Sequence, residues 1–270
     1  MLRHATTASV AQQAPVRETA PVRPAAAEQT LPARGESHSL TLAIRPARVA
    51  LFLAGMAVLV LFASVAGQLL IVWTGHHSFY GFAPYFDVDG EANIPTYFAA
   101  MLLLFAAALF GAITLFQRRA GAPYTRRWAL LALIFLYLSV DEASSLHEIL
   151  INLRWILGVG GVFYFAWVIP GIVLVALFAL SYWKFLLHLP RVTRLLVALA
   201  GVLYVAGALG MELIGGYYQD RVGEMTFAYK MLVTVEEGLE LAGLVTLAYA
   251  LLDYMRATIG QLCLRLTASD

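Results

Sequence analysis

Six long apolar stretches constrain this chain more than any other feature of its sequence. They cover residues 49–73, 94–116, 128–150, 162–185, 195–217 and 226–252. A helix needs about 20 apolar residues to cross a hydrocarbon core roughly 30 Å thick, so each stretch is long enough to span a membrane. The composition agrees, since 61% of the residues are hydrophobic and 13% are charged, whereas about 25% are charged in soluble proteins. The sequence predicts an all-α, polytopic membrane bundle of six transmembrane helices.

The positive charges predict the orientation of this bundle. Lys and Arg accumulate on the cytoplasmic side of membrane proteins. If both termini are cytoplasmic, 15 of the 18 Lys and Arg residues fall on that side, and the three exceptions are Arg154, Arg221 and Lys230. An odd number of spans would spoil the alternation of basic and non-basic connections between the helices. The sequence therefore predicts an N-in/C-in topology.

Two terminal segments flank the predicted transmembrane domain of residues 46–254. Residues 1–45 are rich in Ala, Pro and Arg and have no apolar periodicity, which is typical of a disordered cytoplasmic tail. Residues 255–270 alternate basic and apolar side chains; a short amphipathic helix on the membrane surface and a frayed end both fit this pattern. The composition favours a bacterial inner membrane. Membrane lipids are the expected partners, and no nucleic-acid partner is expected.

The acidic residues have the opposite distribution. On the same map, 12 of the 17 Asp and Glu residues fall outside or in the outer half of the membrane. The third, fifth and sixth stretches carry the ionisable residues Asp141, Glu142, His147, Glu148, Glu212, Glu236, Glu237 and Glu240. A charge at the bilayer centre costs about 2.5–3.5 kcal/mol on insertion scales, and such residues usually face the bundle interior and mark function. We expect the three helices to bring these side chains together in a pocket open to the outer face.

A divalent metal would balance such a cluster, because carboxylates and imidazole are suitable ligands for Zn, Fe and Mn. The predicted metal ligands are Asp141, His147, Glu148, Glu212, Glu236 and Glu240. Glu237 and Glu142 are the predicted catalytic residues, as a general base or as partners of the ligands. On a continuous third helix, Asp141 and Glu148 would lie on one stripe, since successive residues turn by about 100°. A glycine of the fifth stretch, Gly207, predicts close packing between helices.

The loop before the second stretch adds acids over the same predicted pocket. Asp87, Asp89 and Glu91 surround a glycine, and this pattern resembles part of a calcium loop. The favoured interpretation is an Asp-Gly turn, with Asn93 as the N-cap of the following helix.

Two residues near the start of the sixth stretch lie close to the predicted pocket. Tyr229 shares a sector of the sixth helix with the three glutamates of that stretch. Tyr229 and Lys230 are candidates to gate or neutralise the pocket. An alternative for Lys230 is that its ammonium group extends to the membrane interface.

Three functions fit this pattern of residues. The first is a metal-dependent membrane enzyme that acts on a lipid or other amphipathic substrate. The second is a proton- or metal-ion-coupled transporter, and the third is a non-catalytic subunit of a membrane complex. The enzyme is the leading hypothesis, because the inner half offers almost no polar path and no inverted repeat is visible.

Overall fold

The computed structural model describes residues 39–42, 45–76, 78–223, 226–259 and 262–265. Most of the predicted N-terminal tail, residues 1–38 and 43–44, lies outside the described residues, as do residues 260–261 and 266–270 of the C-terminal tail. Two short strands, β1 (Ser39–Leu42) and β2 (Leu262–Arg265), pair with each other. The remaining described residues form helices and connecting turns, which confirms the prediction of a helical bundle.

Each of the six predicted stretches contains a long helix. The helices are α1 (Pro46–Thr74), α2 (Phe82–Phe86), α3 (Ile94–Arg119), α4 (Thr125–Ser144), α5 (Leu153–Leu157), α6 (Val168–His188), α7 (Arg191–Val205), α8 (Glu212–Arg221) and α9 (Phe227–Ile259). Short 3-10 turns occur at Phe79–Gly81, Leu146–Asn152 and Gly161–Phe163. A π-helical segment, Ala206–Met211, joins α7 and α8 into one continuous helix of 31 residues.

Four helical segments in the described part of the chain are long and apolar enough to cross a membrane, which indicates a membrane protein. They are α1, α3, α6 and the continuous segment from α7 to α8. The helices α4 and α9 are also long, with 20 and 33 residues, but charged side chains interrupt their apolar sequences. The former contains Asp141 and Glu142, and the latter contains Lys230 and three glutamates. The two less apolar helices therefore carry much of the predicted site.

The third predicted stretch, residues 128–150, forms a shorter helix than expected. α4 ends at Ser144, because Ser145 adopts a left-handed conformation with φ of 50°. The Asp141 carboxylate stabilises this end, since its Oδ1 accepts a hydrogen bond of 2.9 Å from the backbone N–H of His147. The prediction of one helical stripe from Asp141 to position 148 is therefore wrong.

One end of the bundle has an aromatic core where α3 ends, α4 begins, and the last turns of α6 and α9 meet. Trp128 is 2% exposed, and its ring centroid lies 4.9 Å from that of Phe185 and 5.2 Å from that of Tyr254. The Gln117 side-chain amide donates a 2.6 Å hydrogen bond to the Tyr254 hydroxyl. We call this the basic end, because it carries Arg45, Arg48, Arg118, Arg119, Arg126, Arg127, Lys184, Arg191, Arg194 and Arg256.

Helix α9 packs against α1, α3 and α7, and two glycines permit its close contact with the helix that contains α7. A Cβ atom on Gly243 of α9 would lie 2.8 Å from the backbone nitrogen of Tyr204. A Cβ atom on Gly207, in the π-helical segment, would lie 2.8 Å from the backbone oxygen of Glu236. The predicted close packing at Gly207 is confirmed, and it holds the glutamates of α9 against the π-helical segment.

Candidate functional site

The predicted acidic residues gather at the end of the bundle opposite the aromatic core. We call this the acidic end, and it is formed by Asp87, Asp89, Glu91, Asp141, Glu142, His147, Glu212, Glu236, Glu237 and Glu240. Glu237 lies near Glu142 and Glu91, and Glu240 lies near both Glu237 and Glu142. The structure thus brings together side chains from α4, α8, α9 and the loop between α2 and α3.

A carboxyl pair formed by Glu212 and Glu236 joins α8 to α9. Their carboxyl groups lie within hydrogen-bonding reach of each other. An ionised carboxylate can only accept hydrogen bonds, so a bond between two carboxyl groups requires a proton on one of them. Trp167, at the start of α6, donates its indole N–H to Glu212 Oε1 at 2.8 Å. The indole therefore orients Glu212 toward its partner on α9.

His147 forms a second polar pair beside the first. Its Nδ1 lies 3.2 Å from Asp141 Oδ2, while its backbone N–H donates to the other oxygen of the same carboxylate. The imidazole also packs on Trp167, with a distance of 5.0 Å between ring centroids. The turn after α4 therefore places His147 against Asp141. The same turn places the His147 imidazole beside the indole that contacts Glu212.

Glu240 contacts the continuous helix formed by α7, the π-helical segment and α8. The Tyr204 hydroxyl lies within hydrogen-bonding reach of the Glu240 carboxyl group. A Cβ atom on Gly207 would lie only 2.7 Å from Glu240 Cγ, so the glutamate side chain packs directly on the backbone of the π-helical segment. Such segments are rare and occur frequently at functional sites.

The loop between α2 and α3 is fixed to α9 by an ion-pair cluster. Lys230 Nζ lies 2.8 Å from Asp87 Oδ2 and 2.5 Å from Asp89 Oδ2. Between these two aspartates, Val88 packs against Tyr229 and the next turn of α9. The loop therefore covers the start of α9, and Lys230 forms ion pairs with two of its carboxylates.

The same loop forms the turn that the sequence favoured over a calcium loop. The Gly90 N–H donates to the Asp87 carbonyl oxygen at 3.0 Å. Asn93 Oδ1 accepts a 3.2 Å hydrogen bond from the Thr96 N–H and caps α3. The predicted turn and N-cap are confirmed, and Glu91 at this turn is exposed.

The predicted metal ligands do not form a metal site in the part of the chain that the structure describes. No group of three or more His, Cys, Asp or Glu side chains in these residues could hold an ion. The ligands lie near separate partners instead: His147 near Asp141, Glu212 near Glu236, and Glu240 near a tyrosine. The side chain of Glu148 lies outside the described residues.

Two residues of the site, Trp167 and Tyr204, are missed by the sequence analysis. Both lie in apolar stretches, where an aromatic residue is expected to face the lipid or the core. The indole N–H and the phenol O–H usually find a partner when they are buried, so each was a signal of a polar neighbour. The partner in each case belongs to a different helix, and sequence spacing along one helix does not identify it.

A comparison with curated proteins finds no match, and a comparison with solved structures finds none either. Residues 50–254, which contain every long helix almost completely, match a family described as a domain of unknown function, DUF8692. This match covers more than half of the chain. The protein therefore belongs to the DUF8692 family.

Proposed function

We propose that this protein is a proton-coupled transporter with six membrane spans, and that its acidic end is the site that takes up and releases the protons. Both termini are cytoplasmic in this proposal, and the bacterial inner membrane is its location. The acidic end then opens toward the outer face. The distribution of Lys and Arg between the two ends of the bundle supports this orientation.

The observation that carries the proposal is the close contact between the Glu212 and Glu236 carboxyl groups. A hydrogen bond between them requires a bound proton, and the pair lies beside the carboxyl groups of Glu237 and Glu240. Lys230, on the same helix as Glu236, already contacts two aspartates of the loop. Ionisable groups within membrane helices commonly form proton relays. Shared protons therefore balance the charge of this cluster in the proposal.

Infrared difference spectroscopy of the reconstituted protein tests for the shared proton. A change of pH should alter the carbonyl band of a protonated carboxyl group. Glu236→Gln should remove a large part of this change, because the pair can no longer exchange its proton. Asp220→Asn is the matched control, since Asp220 is an exposed carboxyl group of α8 that is not among the residues forming the acidic end. An identical difference spectrum for native protein and Glu236→Gln would contradict the proposal.

Charge movement in a supported membrane tests for coupling to transport. A pH step should produce a transient current with the native protein and with Asp220→Asn, and a strongly reduced one with Glu236→Gln. If the infrared change is present but no current accompanies it, the site binds protons without moving them, and the transporter assignment is wrong.

The single cysteine of the chain, Cys263, tests the topology. A membrane-impermeant thiol reagent should leave Cys263 unlabelled in intact cells and label it after lysis. In a Cys263→Ser background, Gly160→Cys should be labelled in intact cells, because position 160 precedes α6 at the acidic end. Labelling of both positions from the same side would contradict six spans with both termini inside.

The metal-dependent enzyme that acts on a lipid or amphipathic substrate is a second candidate, which one observation favours. His147 places Nδ1 at 3.2 Å from Asp141 Oδ2, and metal-binding histidines commonly present one nitrogen to a carboxylate and the other to the ion. Elemental analysis of purified native protein and His147→Ala distinguishes the two candidates. A stoichiometric metal that is lost in the variant would favour the enzyme.

A further inference from the structure

A cavity of about 300 Å³ lies at the basic end, between the start of α1 and the last turns of α9. Arg45, Arg48 and Arg256 contribute to its lining, together with Tyr249 and Asp253. None of these residues belongs to the acidic end. The cavity is therefore a separate feature, and the proposed proton site makes no use of it.

The charges in this cavity favour an anion. Asp253 Oδ1 forms an ion pair of 2.7 Å with the Arg256 guanidinium. Within the described residues, no carboxylate forms an ion pair with Arg45 or Arg48. Guanidinium groups donate paired hydrogen bonds in a planar geometry that matches phosphate oxygens. Three arginines against one aspartate leave an excess of positive charge that suits a phosphate group.

The outer surface of α1 continues from this cavity as an apolar strip. Phe52 follows Arg48 by four residues, so the two side chains lie on the same face of the helix. Phe52 is 68% exposed, and its neighbour Leu51 is 72% exposed. Farther along α1, Phe62 is exposed as well. A molecule with its phosphate among the arginines would have its apolar part along this strip.

From this juxtaposition we propose that the cavity binds the phosphate headgroup of an anionic phospholipid, with an acyl chain along the exposed face of α1. In the proposed topology, the basic end lies at the cytoplasmic leaflet. Each arginine that contacts the negatively charged headgroup in the cavity contributes roughly a fivefold gain in affinity. The cavity adds a defined position for the phosphate.

Native mass spectrometry of the full chain with phosphatidylglycerol tests the proposal. The double variant Arg45→Gln/Arg48→Gln should weaken the apparent affinity for phosphatidylglycerol about 25-fold, the product of two contacts of about fivefold each. The matched control is Arg118→Gln/Arg119→Gln, which removes two exposed arginines of the same end that do not line the cavity. This control should bind phosphatidylglycerol within about twofold of the native protein.

Three results would overturn the proposal. An equal loss in both double variants would show that surface charge alone attracts the lipid. Equal binding of zwitterionic phosphatidylcholine by the native protein would remove the requirement for an anionic headgroup. Displacement of phosphatidylglycerol by inorganic phosphate alone would show that the cavity takes a free anion rather than a lipid. Retention of the lipid in excess phosphate, with loss only in the Arg45/Arg48 variant, is the expected outcome.

Discussion

At the basic end of the bundle, Gln117 and Tyr254 form a hydrogen bond with each other inside an aromatic core. Charged groups at this end, such as Arg118 and Arg119, remain exposed. At the acidic end, carboxyl groups on α8 and α9 contact each other and are partly buried. The first arrangement is the usual one for a stable fold, because its buried polar groups are neutral and hydrogen-bonded. The second places ionisable groups where an apolar side chain would be more stable. The basic end therefore contributes mainly to stability, whereas the proposed function places its chemistry at the acidic end.

The largest expected effect tests the role of the aromatic core. Trp128→Ala should lower the free energy of unfolding by about 3–5 kcal/mol, because it opens a cavity among packed rings. Titration with a denaturing detergent, followed by far-ultraviolet circular dichroism, measures this change. Trp183→Ala is the control, since Trp183 is 57% exposed and should tolerate truncation. Equal losses in the two variants would contradict a core at this end.

Hydropathy predicted the long helices well, for a reason specific to lipid. A chain in a bilayer must satisfy its backbone hydrogen bonds internally, so a long apolar stretch has few alternatives to a helix. The end of α4 was not predictable in this way. Residues 145–150 lie within the predicted third stretch, but the Asp141 side chain accepts the backbone N–H of His147 and competes with the helical hydrogen bonds. A local contact of this kind is visible only in three dimensions.

The composition of the acidic end was predictable, but its pairing was not. Glu212 and Glu236 stand out in sequence because charges are costly in membrane helices. That they share a hydrogen bond depends on the approach of two helices, which Gly207 permits. The predicted metal site assumed that all the acids would point to one centre. The structure distributes the predicted ligands over several partners instead.

The next expected effect tests the contact between the π-helical segment and α9. Gly207→Ala should lower the free energy of unfolding by about 1–3 kcal/mol, since its Cβ would overlap Glu240 and the α9 backbone. Gly201→Ala is the control in the same continuous helix, because a Cβ there meets nothing within 4 Å. Denaturation in detergent compares the two. A loss of stability in Gly201→Ala alone would show that Gly207 does not pack closely against α9.

The ion-pair cluster of the loop should have a local effect. Lys230→Met leaves Asp87 and Asp89 without the ammonium group that they both contact, and should destabilise the loop by about 1–3 kcal/mol. Hydrogen–deuterium exchange should rise in residues 87–93 and stay unchanged at the basic end. Lys184→Met, which removes an exposed lysine of α6, should leave exchange in the loop at its native level. Native protection from exchange in the loop of both variants would show that the packing of Val88 is sufficient to hold the loop on α9.

The smallest expected effect on stability is the most specific for the acidic end. Trp167→Phe keeps an aromatic ring beside His147 but removes the indole N–H that donates to Glu212. We expect a loss of about 1 kcal/mol in the free energy of unfolding, together with a shifted carboxyl band in the infrared difference spectrum. Trp155→Phe is the control, because Trp155 is 76% exposed and forms no described hydrogen bond to the carboxyl pair. A loss of stability without a shift of the carboxyl band would mean that Trp167 only packs. A shifted band with nearly native stability would show that the indole controls the proton of the Glu212–Glu236 pair. The carboxyl pair of the acidic end would then contribute to the proposed function and little to the stability of the fold.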